Sequence, residues 1–280
     1  MQIKFTKMQA LGNDYIYADC FKQDLNKVNF PDLSRQICDR HFGVGSDGLI
    51  LVAPGKTHKF RMIFYNPDGS EAEMCGNGIR CFARFLYDRD LSKSKIQDIE
   101  TRAGIIHTEI IQTGNSFLIC TDIGKPILER KKIPMKGKGE KCISESLNLD
   151  GRKVTVTSLS LGNPHTLIFV KEFYPDWREI GRKVENHPLF PRRTNVEFVT
   201  VLNKRRIQLK IWERGVGETL ASGTGASAAT VAGVLNHKLD RKVTAIFDKG
   251  ELTIEWKKEN DRLYITGPAI SVFSGTYDYR

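Results

Sequence analysis

A tetrapeptide occurs twice in this chain in nearly the same form. Cys75-Gly76-Asn77-Gly78 and Ser222-Gly223-Thr224-Gly225 each open an apolar run. The surroundings repeat with it. Leu11-Gly12-Asn13-Asp14 returns as Leu161-Gly162-Asn163-Pro164 at an offset of 150, Asp47 to Leu51 as Asn195 to Val199 at 148, and Phe64-Tyr65-Asn66 as Ile211-Trp212-Glu213 at 147. The last offset also pairs Glu71 with Glu218 and Cys75 with Ser222. A chance echo does not hold a nearly constant offset through separate elements, so the chain reads as two copies of one α/β unit facing each other about a pseudo-two-fold axis. The run after each tetrapeptide is apolar nearly all round: Ile79, Cys81, Phe82, Ala83, Phe85 and Leu86 in the first copy, and Ala226, Ala228, Ala229, Val231, Ala232, Val234 and Leu235 in the second. Such helices are buried, and sheet must cover them on several sides.

At 280 residues a two-domain chain is the natural expectation, with enough apolar content (40%) for a core in each half. Short strands are predicted at 3–5, 15–18, 49–52, 61–65, 104–111, 117–120, 165–170, 195–199, 250–255 and 263–266, and helices over 32–41, 79–87 and 177–184. The segment from Ile127 to about Asn148 is charged and weakly periodic, as suits a linker, and its lysines and arginines read as a solvated loop. The net charge of +10 could draw nucleic acid nonspecifically, but neither a groove-reading helix nor interleaved aromatics accompany it, so no nucleic-acid partner is expected. Gly43-Val44-Gly45-Ser46-Asp47-Gly48 matches G-x-G-x-x-G, yet a helix precedes it and a strand follows, the reverse of a dinucleotide site. The start shows no basic region ahead of an apolar stretch, and no run approaches a membrane span. A cytoplasmic protein without membrane contact is expected, its six scattered cysteines reduced.

The paired tetrapeptides carry the chemistry. A helix N-terminus presents unpaired N–H groups and the positive end of the dipole, and glycines let an anion approach the backbone. Two such ends converging can hold one carboxylate. A cysteine there is expected to have its pKa drawn below the free value of about 8.5. Moving a proton from one face of an amino acid α-carbon to the other needs a base and an acid on opposite sides, with the carboxylate fixed between them. There is no P-loop, zinc spacing or pyridoxal-phosphate context, so the residues point to a cofactor-independent amino acid racemase or epimerase, with no metal and no cofactor.

Several blocks closely resemble the diaminopimelate epimerase family: Leu11 to Asp14, Tyr65 to Glu71, Met74 to Cys81, Gly162 to His165, Asn195 to Phe198 and Glu213 to Thr219. The resemblance implies an α/β (α+β) fold of two pseudo-symmetric domains, each a strongly curved, mostly antiparallel sheet around a central buried helix. It places the domains at 1–122 plus about 269–280 and at 123–268, the last strand crossing back, and implies a homodimer. The implied reaction converts LL-diaminopimelate to the meso form, on the route to lysine. Cys75 would be one catalytic acid/base and position 222 the other, with His165 and Glu213 orienting or relaying protons for them. Gly76, Asn77, Gly223 and Thr224 would hold the reacting carboxylate. Asn163, Asn195 and Arg214 would hold the distal carboxylate, Asn66 and Glu213 the distal amino group, and Asn13 would line the same pocket.

The second copy departs from the family pattern. The family has a cysteine where this chain has Ser222, and often another where it has Ser227. A hydroxyl is a weak acid/base without activation. The readings that stay open are an engineered or trapped variant, an enzyme in which Glu213 activates Ser222, and a relative with changed chemistry that binds a diaminopimelate-like amino acid.

Overall fold

The computed structural model describes residues 1–114 and 116–279; Asn115 and Arg280, which fall within the expected first domain, lie outside the described residues. The chain divides into two compact units, Met1–Asp122 with Thr266–Arg280, and Ile123–Ile265.

The first unit contains β1 (Gln2–Ala10), β2 (Asn13–Asp19), α1 (Phe30–Cys38), β3 (Leu49–Pro54), β4 (Phe60–Tyr65), β5 (Glu71–Ala72), α2 (Gly76–Asp88), β6 (Ile96–Thr101), β7 (Gly104–Gln112) and β8 (Leu118–Asp122). The second contains β9 (Cys142–Leu149), β10 (Arg152–Ser160), β11 (Pro164–Val170), α3 (Trp177–Glu185), β12 (Asn195–Asn203), β13 (Arg206–Glu213), β14 (Gly217–Thr219), α4 (Gly223–Leu235), β15 (Lys242–Phe247) and β16 (Gly250–Trp256). In β17 (Leu263–Pro268) the chain returns to the first unit, where it ends in β18 (Ile270–Asp278).

Strand pairing repeats between the copies. In the first unit β1 to β2 is antiparallel, β2 to β3 parallel, β3 to β4 antiparallel, β4 to β6 parallel and β6 to β7 antiparallel. The second unit runs β10, β11, β12, β13, β15, β16 with the same alternation. The outer neighbour of β1 is β18, and that of β10 is β9. The strand after β8 thus joins the second unit's sheet, while the strand after β17 joins the first unit's. Duplication at the level of sequence is duplication at the level of register.

Each sheet folds around one helix. In α2 every residue from Asn77 to Ala83 is buried, with Phe85 and Leu86, and the helix packs on β1, β2, β7, β8 and β18. Its core includes Tyr15, Tyr17, Ile50, Phe64 and Phe82. In α4 Gly225 through Gly233 are buried, against β10, β11, β12, β15 and β16. The outer helices are ordinary amphipathic ones. Asn29 caps α1 through its side chain, which accepts from Asp32 N at 3.1 Å, and Pro31 sits in the first turn, where its missing N–H costs nothing. Trp177, Ile180 and Val184 form the buried stripe of α3.

Eight of the described strands lie outside the predicted ranges: β5, β6, β9, β10, β13, β14, β15 and β18. The expected linker at 127–148 is also structured. Arg130 opens a 3-10 turn and is buried, its guanidinium donating to the carbonyls of Lys136, Gly139 and Lys141 and pairing with Glu145. That segment is therefore not wholly a solvated loop, since a basic side chain is the hub that closes it.

The glycine cluster has a packing explanation. A Cβ on Gly43 would lie 2.2 Å from Gln36 O, 2.7 Å from Ile37 O and 2.9 Å from Asp39 O, where α1 ends. One on Gly48 would lie 2.3 Å from the Phe64 ring. Only glycine lets the chain leave α1 and enter β3 so closely. Gly43→Ala is expected to cost ~1–3 kcal/mol, since backbone cannot yield as a flexible side chain can. A urea melt showing a lower midpoint at unchanged slope would register this, and a wild-type midpoint would refute it.

Candidate active site

The two tetrapeptides adopt the same capping geometry. Cys75 is the N-cap of α2 with φ −138° and ψ 117°; Ser222 is the N-cap of α4 with φ −137° and ψ 122°. Cys75 Sγ accepts from Gly78 N at 3.3 Å, and Ser222 Oγ accepts from Gly225 N at 3.0 Å. Each side chain therefore occupies the same seat over a helix end, held by the third N–H of the turn. The glycines there serve close approach. A Cβ on Gly78 would meet Ile50 Cδ1 at 2.8 Å, and one on Gly225 would meet Glu197 Oε1 at 3.0 Å. Gly76 has open space where its side chain would be, which leaves the first turn of α2 accessible.

Around Cys75 the first unit assembles a polar relay. Arg80, fully buried, donates to Asn77 Oδ1 at 2.6 Å and to Gly76 O at 3.0 Å. Asn77 donates to Asn13 Oδ1 at 2.7 Å, and Asn13 donates to Asp47 Oδ2 at 3.2 Å. Asp47 is in turn paired with Arg40 at 2.8 Å. Three candidates drawn from the sequence, Asn13, Asn77 and Cys75, are thereby brought to one helix end. Asn66 stands apart from that chain, in the turn after β4, its amide donating to Ser70 Oγ at 3.0 Å.

The thiol differs from expectation. Burial pushes the Cys75 pKa above its ordinary value, outweighing the hydrogen bonds from Tyr15, Gly78 and Asn77 and the Arg80 charge, which all pull it down. A helix N-terminus favours a thiolate only to the extent that its field exceeds the desolvation cost, and here it does not. Cys81, six residues further along α2, is buried too, and burial pushes it up to about 12 against the Arg80 charge and hydrogen bonds from the Ile270 backbone and Tyr17.

In the second unit His165 and Glu197 form a buried pair, Nδ1 to Oε1 at 2.6 Å, while Nε2 faces Asn163 Oδ1 at 2.9 Å. Asn195 is committed to backbone, donating to Pro164 O at 3.0 Å and accepting from Arg214 N at 2.8 Å. Arg214 is exposed in the turn after β13, its guanidinium donating to Arg192 O at 3.2 Å, and among the described residues it forms no ion pair with Glu213. Burial pushes the Glu213 carboxyl up. The neighbouring Glu197 charge adds to this, and Thr219 and His165 oppose it. Ser222 Oγ reaches Thr224 Oγ1 at 3.2 Å as well as Gly225 N; among the described residues no hydrogen bond joins it to Glu213.

Four residues of this framework are absent from the candidates drawn from sequence: Tyr15, Asp47, Arg80 and Glu197. For Tyr15 a signal existed, because it lies 150 residues before His165, the same offset that joins Leu11 to Leu161.

The model of the family described as diaminopimelate epimerase matches residues 5–129 and 157–272, covering both helix ends. The chain belongs to the diaminopimelate epimerase family. Among its relatives, the diaminopimelate epimerase of Pelotomaculum thermopropionicum is 49% identical over 278 residues, covering 99% of each chain. That of Acetivibrio thermocellus is 45% identical, with 99% of each covered. The Methanococcus maripaludis protein of the same name is 44% identical, covering 99% of this chain and 100% of its own. Similar solved structures include a Bacillus anthracis phenazine biosynthesis protein of the PhzF family (TM-score 0.71, 16% identity, all of both chains). A hydroxyproline epimerase from Agrobacterium vitis also matches (TM-score 0.68, 12% identity, 98% of this chain and 92% of that one). These two likenesses are of fold, and they agree with a duplicated α+β architecture. Among the described residues no helix is long and apolar enough to cross a membrane.

Proposed function

We propose that this chain is an isomerase that converts LL-diaminopimelate to the meso isomer by proton transfer at the α-carbon, without a cofactor, as a step toward lysine. The observation that carries this reading is the matched pair of capping residues, Cys75 and Ser222, on two buried helices in a chain whose two halves both match the family. Cys75 supplies one acid/base group, and the hydroxyl of Ser222 occupies the seat of the other. Gly76, Asn77, Gly223 and Thr224 present backbone and side-chain donors to the reacting carboxylate. Asn13, Asn66, Asn163, Asn195 and Arg214, with Glu213, take the distal amino acid group. His165, bonded to Glu197 and Asn163, orients that side. We further propose a cytoplasmic homodimer.

The hydroxyl at 222 favours a second reading, a binding-competent protein with little turnover, because Ser222 has no hydrogen-bonded base among the described residues. Incubating each isomer separately in deuterated solvent decides between them. Meso product from the LL isomer, with deuterium at the α-carbon, supports epimerisation. Saturable binding with neither exchange nor inversion would leave only the binding protein.

A further inference from the structure

Each copy sets a different polar side chain on the second strand beside its helix end. In the second it is His165, on β11. In the first it is Tyr15, on β2, buried with its ring edge-on to Phe64 at 5.8 Å between centroids, and its hydroxyl is 2.9 Å from Cys75 Sγ. The strand behind it differs correspondingly. Ile50 stands against Gly78 where Glu197 stands against Gly225, and strand register makes the two equivalent at an offset of 147, which corrects by one residue the 148 read from sequence for this strand. The first copy has thus exchanged an ionisable pair for a phenol and an alkyl group. We propose that Tyr15 is a positioning residue for proton transfer at Cys75, fixing the sulfur over the end of α2 and donating a hydrogen bond to it whenever it is a thiolate.

The geometry suits a sulfur whose proton comes and goes. A phenol accepts from S–H and donates to S⁻, so one contact persists through both states. Burial holds the Tyr15 pKa well above its ordinary value, with the Cys75 sulfur and Asp47 acting in the same direction, so Tyr15 keeps its proton and remains the donor. The ionisable groups facing the pair are Tyr17 on the same strand, Arg80 and Cys81 on α2, and Asp47 in the loop before β3. Tyr17 serves as an internal control, because its hydroxyl donates to Gly78 O at 2.7 Å and does not bond the sulfur.

This inference rests on Cys75 being an acid/base group, and the test separates the two. Alkylation of Cys75 by iodoacetamide, read on the Cys75 peptide by mass spectrometry from neutral to alkaline pH, reports thiolate without turnover. Tyr15→Phe removes only the hydroxyl and keeps the ring. It is expected to raise the alkylation midpoint by about one pH unit, slow neutral-pH alkylation about tenfold, and move the acid limb of the kcat profile the same way. Tyr17→Phe is expected to leave the midpoint in place. A wild-type midpoint in Tyr15→Phe, or equal movement in both variants, would overturn the assignment. If Tyr15→Phe does not fold, 3-fluorotyrosine at position 15 keeps ring and hydroxyl while strengthening the donor. The midpoint must then fall, and an unmoved one overturns the proposal. Full activity in Cys75→Ala would instead sink the acid/base reading, whatever the alkylation midpoints show.

Discussion

Ser222→Cys is expected to raise the rate of LL-to-meso conversion by about 10²–10⁴-fold, the range typical of a positioned general acid or base. The backbone needs no change, because Cys75 already places a thiol on a helix end with nearly the same φ and ψ. Gly225 N, now 3.0 Å from the hydroxyl, would sit over the sulfur as Gly78 N sits over Cys75 Sγ. The extra volume is small, and Ser222 is only partly buried. What changes is acidity: a thiol exchanges its proton within reach of neutral pH, and an unactivated hydroxyl does not. Initial rates under saturating substrate measure the effect. A variant no faster than the parent would mean that the hydroxyl does not limit turnover and that Ser222 is activated by a route other than its present hydrogen bonds.

The constant offset yields the repeated topology because register is copied when a gene segment is copied: β1 to β7 and β10 to β16 pair in the same order. The capping seats of Cys75 and Ser222 follow from side chains that bond three residues ahead, a local rule. What stays hidden is contact across long separations. Tyr15 and Cys75 are sixty positions apart, His165 and Glu197 thirty-two, and nothing in the local pattern of either strand marks a polar partner. Arg80 is a charged residue among apolar neighbours on α2, yet it is buried because Gly76 O and Asn77 Oδ1 accept from it inside the first turn. At the equivalent position, 147 residues on, Ser227 Oγ bonds Gly223 O at 2.9 Å. The bond to the glycine carbonyl is kept and the charge is not. The Cys75 pKa goes up instead of down for a related reason, since helix position is legible in sequence but desolvation is not.

Cys75→Ala is the complementary experiment and is expected to lower α-proton exchange by at least about 10²-fold, with substrate still bound by the glycine and amide donors. Its force lies in asymmetry. With a thiol in one seat and a hydroxyl in the other, abstraction from the two faces is unequal. The isomer whose α-proton meets Cys75 should therefore exchange with deuterated solvent faster than it inverts: the sulfur takes the proton, trades it with solvent for a deuteron, and delivers that deuteron to the face the proton left. The other isomer should exchange slowly, at about the rate of inversion. Because burial holds the Cys75 thiol above its ordinary pKa, thiolate is scarce at neutral pH and grows as pH rises. Exchange at the Cys75 face should climb with pH through the alkaline range until the thiol is fully ionised. Removing the sulfur takes away the fast face and its pH dependence together. Exchange that survived in Cys75→Ala, equal for both isomers and flat with pH, would show that the proton moves by groups other than the one that caps α2.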